Sequence, residues 1–159
     1  MKIIFLDIDG VLNSDMFWRN CKDIDEEIDD EAIKRLQQIV NTTNAVIVLS
    51  SSWKKLSPDN QLRIYLHNKL KEYYLTIYDQ TPHLNSNRPL EIKAWIINHL
   101  DLNIDGIVSL DDDYSEEEYV KVGLANKTIH TSFYDHKCGG LQDIHIAQAI
   151  DILNTPYSV

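Results

Sequence analysis

The chain has 159 residues, with 15 Lys plus Arg against 25 Asp plus Glu and a formal net charge of −10. That length is expected to hold a single domain over residues 1–159, with no room for a second catalytic or cap domain. Apolar residues make up 43% and charged residues 25%, which excludes a disordered or collagen-like chain, and the acidic balance excludes a broad basic surface for duplex nucleic acid.

Cys21 and Cys138 are too few for a disulfide framework. The start MetLysIleIlePheLeuAsp reads as a strand rather than a signal peptide, and no apolar run approaches the roughly 18 residues of a membrane span. The expectation is a soluble protein of a reducing compartment, the cytoplasm.

In chain order, Ile3 to Leu6 is a short apolar run that stops at Asp7-Ile8-Asp9-Gly10, a buried strand running into a turn. The interval from Asn13 to Asp29 suffices for a flap or loop but not for a folded cap. Asp29 or Asp30 caps a helix with Ala32, Leu36, Ile39 and Val40 on one face, ended by Asn41 to Asn44. Ala45 to Leu49 is a second buried strand ending in Ser50, Ser51 and Ser52. Ser57-Pro58 opens a helix carrying Leu62, Leu66, Leu70 and Tyr73. Leu75 to Tyr78 reads as a third strand. Arg88-Pro89 opens a further helix with Ile92, Ile96 and Leu100, and Gly106 precedes the apolar run Ile107 to Leu110, which ends in Asp111-Asp112-Asp113. Lys127 to Thr131 reads as an edge strand, Gly139-Gly140 as a turn and Asp143 to Leu153 as a closing helix. Strands alternating with helices predict an α/β fold, one doubly wound, Rossmann-like parallel sheet with helices on both faces. Ligands of such sheets bind at the carboxyl ends of the strands, where three of these runs place polar residues.

Asp7 and Asp9 alternate along a strand end, so they project together while Ile8 turns into the core. Two carboxylates this close repel unless a cation lies near or one holds a proton. Both solutions serve phosphoryl transfer. A hard cation such as Mg²⁺ takes oxygen ligands and neutralises a phosphate, leaving Asp7 to attack phosphorus and Asp9 to exchange protons with the leaving oxygen and with water.

The segment PheLeuAspIleAspGlyValLeuAsn (5–13) resembles the first motif of the haloacid dehalogenase-like (HAD) phosphatases. With ValLeuSerSerSerTrp (48–53), ArgProLeuGluIleLysAlaTrpIle (88–96), SerLeuAspAspAsp (109–113) and a weaker GlyGlyLeuGlnAsp (139–143), the chain resembles the HAD domain of Swiss Army Knife RNA repair proteins. The resemblance implies a capless or minimally capped HAD-like hydrolase with Mg²⁺ as cofactor. Asp7 matches the nucleophile, Asp9 the acid/base that also lends its backbone carbonyl to the metal, and Ser50, aided by Ser51, the hydroxyl that binds the phosphoryl group. Arg88 or Lys93 supplies the offsetting cation, Arg88 matching better. Asp111 and Asp112 complete the metal site with Asp7, while Asp113 and Glu116 to Glu118 are expected in a solvated acidic loop.

The implied substrate is a phosphomonoester at a nucleotide or polynucleotide end. A small phosphorylated metabolite, or a silent Mg²⁺-dependent binding module, is the alternative. A zinc site from His130, His136, Cys138 and His145 fits no closed-site spacing. Trp53 reads as a packing anchor, and Tyr65, Tyr73, Tyr74 and Tyr78 as packing residues rather than base-stacking platforms.

Overall fold

The apolar run after Met1 forms strand β1 (Lys2–Leu6), whose Ile3, Ile4, Phe5 and Leu6 are fully buried. A strand buried on both faces must lie inside a sheet covered on both sides, and β1 is the centre of five. The computed structural model describes residues 1–23 and 25–157; residue 24 and residues 158–159 of the expected domain lie outside that description. The other strands are β2 (Val46–Leu49), β3 (Ile77–Gln80), β4 (Gly106–Asp111) and β5 (Thr128–His130). All pairings are parallel and the order is β3-β2-β1-β4-β5.

The helices are α1 (Asp15–Asn20), α2 (Asp30–Thr43), α3 (Gln61–Glu72), α4 (Arg88–Asn98), α5 (Glu116–Lys121) and α6 (Asp143–Asn154). Alternation along the strands divides the core in two. Ile4, Leu6, Ile47, Leu49, Val108 and Leu110 pack with Leu36 of α2, Leu66 of α3 and Leu153 of α6 on one face. Ile3, Phe5, Val48 and Ile107 meet Ile92, Trp95 and Ile96 of α4 and Tyr119 of α5 on the other. The sheet is therefore doubly wound, as the alternating pattern predicts.

Helix α2 follows its sequence signals closely. The Asp29 carboxylate accepts the Glu31 N–H (2.9 Å), and Asn44 closes the helix in the left-handed region that asparagine tolerates. Five expectations shift. Helix α3 starts at Gln61, because Asn60 is its N-cap and Ser57 to Asn60 form a turn; Leu62 then falls on the exposed side. Strand β3 lies two residues beyond Leu75 to Tyr78, because Tyr74 takes a left-handed φ of 58° and delays the extended segment. Tyr74 and Tyr78 are exposed rather than packed. Leu100 lies beyond α4 and is exposed; Trp95 fills the core there. The acidic segment after Asp113 is not all loop: Glu116 to Glu118 form the first turn of α5, where carboxylates complement the helix dipole and Glu118 closes a capping box on Ser115.

Among the described residues between Asn13 and Asp29, the six-residue α1 is the only helix, a flap rather than a folded cap. Among the described residues, no helix is long and apolar enough to cross a membrane.

Candidate active site

The site follows from strand register. Leu6 of β1 lies opposite Leu110 of β4 and Leu49 of β2, so the next residues, Asp7, Asp111 and Ser50, come level at the carboxyl edge. The ladder runs one step further: the Asp7 N–H donates to Leu110 O (3.1 Å) and the Ser50 N–H to Leu6 O (2.9 Å). Because β2 and β3 were laid down on one side of β1 and β4 and β5 on the other, this edge is the point where the winding reverses and a crevice opens.

Asp7 is buried, with Oδ1 accepting the Ile8 N–H (2.8 Å) and Oδ2 facing Arg88 Nη1 (2.8 Å). Burial pushes its pKa up to about 7, the Arg88 guanidinium holds it down, and the Asp111 carboxylate adds to the rise. Arg88, the first residue of α4, spans the crevice. It pairs with Asp111 as well, donates from Nε to Ser50 O (3.3 Å), lies 3.8 Å from Asp113, and sits 5.5 Å from the centre of the Tyr114 ring. Burial opposes its charge, but Asp7 and Asp111 more than compensate and raise its pKa above the ordinary value. Lys93, one turn along α4, points its ammonium toward Gly123 instead. Of the two cations the sequence left open, Arg88 is the one at Asp7.

Asp111 has both oxygens engaged by protein donors. Oδ1 takes Arg88 and the Asp113 N–H (3.0 Å), and Oδ2 takes the Tyr119 hydroxyl (2.7 Å), which in turn accepts from Ser109 Oγ (2.7 Å). Burial and the adjacent Asp111 carboxylate raise the Tyr119 pKa well above its ordinary value, so it remains a donor. Asp112 is pushed up to about 7 by burial and by Asp113 and Asp111, against Arg88. Oxygens of Asp7, Asp111, Asp112 and Asp113 lie within 4.8 Å of one another. Asp113 lies in the exposed loop expected for it, and from there one of its oxygens joins the cluster. An all-carboxylate donor set suits a hard divalent cation such as Mg²⁺; Asp7, like Asp111, has both oxygens engaged by neighbouring residues, and Asp112 and Asp113 are the members with oxygens left to give. Gly10, at φ +78°, makes the room: a Cβ there would collide with the Asp112 carboxylate.

Asp9 stands apart from this cluster. Its Oδ1 accepts from Asn13 Nδ2 (2.9 Å) and its Oδ2 from Trp53 Nε1 (2.9 Å), while Asn13 Oδ1 accepts the Gly10 N–H (3.0 Å). The Ser51 hydroxyl favours the ionised form of Asp7 and accepts the Trp53 N–H (3.3 Å), opening the 3₁₀ turn Ser52–Lys55. Ser50 Oγ is buried without a hydrogen-bond partner in the structure.

The model of the HAD domain in Swiss Army Knife RNA repair proteins matches residues 3–136, most of the chain and every residue of this site. The chain belongs to that family. Comparison with curated proteins and with solved structures gives no significant match. The HAD domain gathers Asp7, Ser50, Ser51, Arg88, Asp111 and Asp112 at one sheet edge, with Asp9 on its rim. Sequence reasoning missed three partners. Tyr119 is eight residues from Asp111 with no motif to mark it. The Asn13 tie to Asp9 has a local signal, the four-residue spacing in AspGlyValLeuAsn. Trp53 is buried as an anchor should be, but its indole N–H also orients Asp9. Of the histidines weighed for zinc, His145 accepts the Gln142 N–H at the start of α6 (2.9 Å); among the described residues the aspartates form the only candidate metal cluster.

Proposed function

We propose that this HAD domain is a Mg²⁺-dependent phosphomonoester hydrolase working through an aspartyl-phosphate on Asp7, with phosphorylated nucleotide or polynucleotide ends as substrate. The observation that carries the reading is the convergence on one buried carboxylate, Asp7, of a guanidinium (2.8 Å), an unpartnered buried hydroxyl and two further carboxylates with free oxygens. A phosphoryl group satisfies the Ser50 hydroxyl, and its charge is met by Arg88. Asp7, Asp112 and Asp113 would hold the cation, with the Asp9 carbonyl. When bound, Mg²⁺ supplies the positive charge that lets an anionic carboxylate approach an anionic phosphate.

In the first step an Asp7 oxygen forms a bond to phosphorus, the ester P–O bond breaks, and Asp9 gives its proton to the leaving oxygen. In the second, Asp9 takes a proton from water, the water oxygen bonds to phosphorus, and the acyl phosphate P–O bond breaks to free inorganic phosphate and Asp7. Arg88 holds the phosphoryl oxygens throughout, and Asp111 and Tyr119 hold Arg88.

Among the described residues between Asn13 and Asp29 the six-residue α1 is the only helix, and this absence of a folded cap suits a phosphate on a bulky chain end. The net charge of −10 favours local capture of such an end over a grip on a duplex, and two free cysteines accord with the cytoplasm. Phosphate release from an aryl phosphate, a nucleoside monophosphate and a terminally phosphorylated oligonucleotide, with Mg²⁺ and with chelator, tests the reading. Release from none of them with Mg²⁺ would overturn it.

A further inference from the structure

Beside Asp7 lies a cavity of about 180 Å³. Its buried part is lined by Ser50 and Arg88, the residues assigned above to the phosphoryl group. Its more exposed part is lined by Ser52, Lys55, Ser86, Asp113 and Tyr114; Asp113 is assigned above to the cation, and that assignment does not use Lys55, Ser86 and Tyr114.

The cations lining it are not equivalent. Arg88 pairs with Asp7 and Asp111 and is the one assigned to the reacting phosphoryl group, and Lys54 is buried in a pair with Glu91 and bonded to Thr81 Oγ1 (2.9 Å). Lys55 differs: its Nζ bonds the neutral Ser86 hydroxyl (3.0 Å), and it pairs with no carboxylate among the described residues. Its charge is therefore available to a ligand. The groups around it are fixed. Asn85 and Ser86 both take left-handed backbone, at φ 52° and 59°; asparagine tolerates this and serine rarely adopts it. The turn lets Ser86 hold Lys55 with its hydroxyl and the Tyr114 hydroxyl with its carbonyl. Tyr114 in turn covers the Arg88 guanidinium, closing the wall between the two ends.

We propose that this cavity is a two-anion site, in which the Ser50–Arg88 end takes the reacting phosphoryl group and Lys55 takes a second phosphate of the same substrate. The inference rests on the phosphohydrolase reading and narrows its substrate class to molecules with two phosphates. On a surface of net charge −10, an unpaired lysine at the mouth is what makes a doubly anionic substrate acceptable. The second phosphate is either a second monoester on a small molecule or the adjoining phosphodiester of a nucleic-acid end.

The test compares wild type, Lys55→Gln and Lys55→Arg on a nucleoside monophosphate, a nucleoside 3′,5′-bisphosphate and a terminally phosphorylated dinucleotide. Loss of a charge-assisted hydrogen bond corresponds to roughly a 10- to 100-fold weakening. Lys55→Gln is expected to raise KM for the two-phosphate substrates by about tenfold relative to the monophosphate, with kcat little changed, and Lys55→Arg to restore most of it. A loss confined to the dinucleotide identifies the phosphodiester, and one confined to the bisphosphate identifies a small molecule. An equal rise for all three, or no rise, overturns the proposal. Calorimetric binding of the monophosphate and bisphosphate to Asp7→Asn, with and without Lys55→Gln, gives the same ratio without turnover. Wild-type inactivity would thus sink the hydrolase reading while the two-anion site is judged separately, by whether Lys55→Gln weakens the bisphosphate more.

Discussion

The indole N–H of Trp53 donates to the outer oxygen of the Asp9 carboxylate at 2.9 Å, while Asn13 holds the other oxygen at the same distance. Trp53 comes from the turn after β2 and Asn13 from the turn after β1, so the carboxylate assigned to proton transfer is aimed jointly by its own loop and by the segment after a neighbouring strand. Trp53→Phe removes the N–H and frees one oxygen while keeping an aromatic ring in the site, with some loss of packing volume. Turnover of an alkyl phosphate, whose leaving oxygen needs a proton, is expected to fall roughly 5- to 30-fold, within the range of general acid catalysis. An aryl phosphate with an acidic phenol is expected to lose far less in the phosphorylation step, followed by rapid quench. Equal losses on both esters would make Trp53 a packing residue only.

Asp7→Asn is expected to abolish phosphate release, because the amide keeps the shape of the side chain but is a poor nucleophile. Circular dichroism should show the fold retained. Activity within about tenfold of wild type, set against the many orders of magnitude an enzyme supplies, would remove Asp7 as nucleophile.

The acidic cluster is expected to divide under mutation. Asp112→Asn and Asp113→Asn should raise the Mg²⁺ concentration needed for half-maximal activity, since these carboxylates have oxygens free for a cation. Asp111→Asn should instead lower the melting temperature markedly, because it leaves the buried Arg88 and Tyr119 short of a partner; breaking one side of a buried ion pair typically costs about 3–5 kcal/mol. Titration of Mg²⁺ and thermal melts on the three variants separate the two effects.

The stabilisation given by Mg²⁺ is expected to grow with pH. Asp7 and Asp112, both raised from 3.8 to about 7 without metal, bind more protons folded than unfolded between those values. Ionising them therefore makes the metal-free protein less stable as pH rises through that window. A cation binds the ionised pair, so it must displace protons below pH 7 and displaces few above it. Melting temperatures with Mg²⁺ and with chelator at pH 6, 7 and 8 should diverge progressively. Taking the difference at each pH removes the opposing contribution of His67 and His145, whose pKa values burial lowers. A constant difference would place the cation elsewhere.

The sequence alone determined the strands, their alternation with helices and the carboxyl-edge polar residues, because apolar runs, periodicity and caps are local properties of the chain. Asp7, Ser50 and Asp111 were legible because each directly follows such a run. Tertiary structure decided what their side chains touch. Arg88 rather than Lys93 meets Asp7 because only the first residue of α4 reaches the sheet edge. Asp111 is tied by Tyr119 from α5, and Asp9 by Trp53 from a turn 44 residues away. Lys54 and Lys55 are neighbours of the same type, yet one is neutralised by Glu91 and the other left to face the cavity. Such differences arise from parallel register and from the angle at which each helix leaves the sheet, which bring together side chains distant in the chain and are not encoded in any short stretch of it.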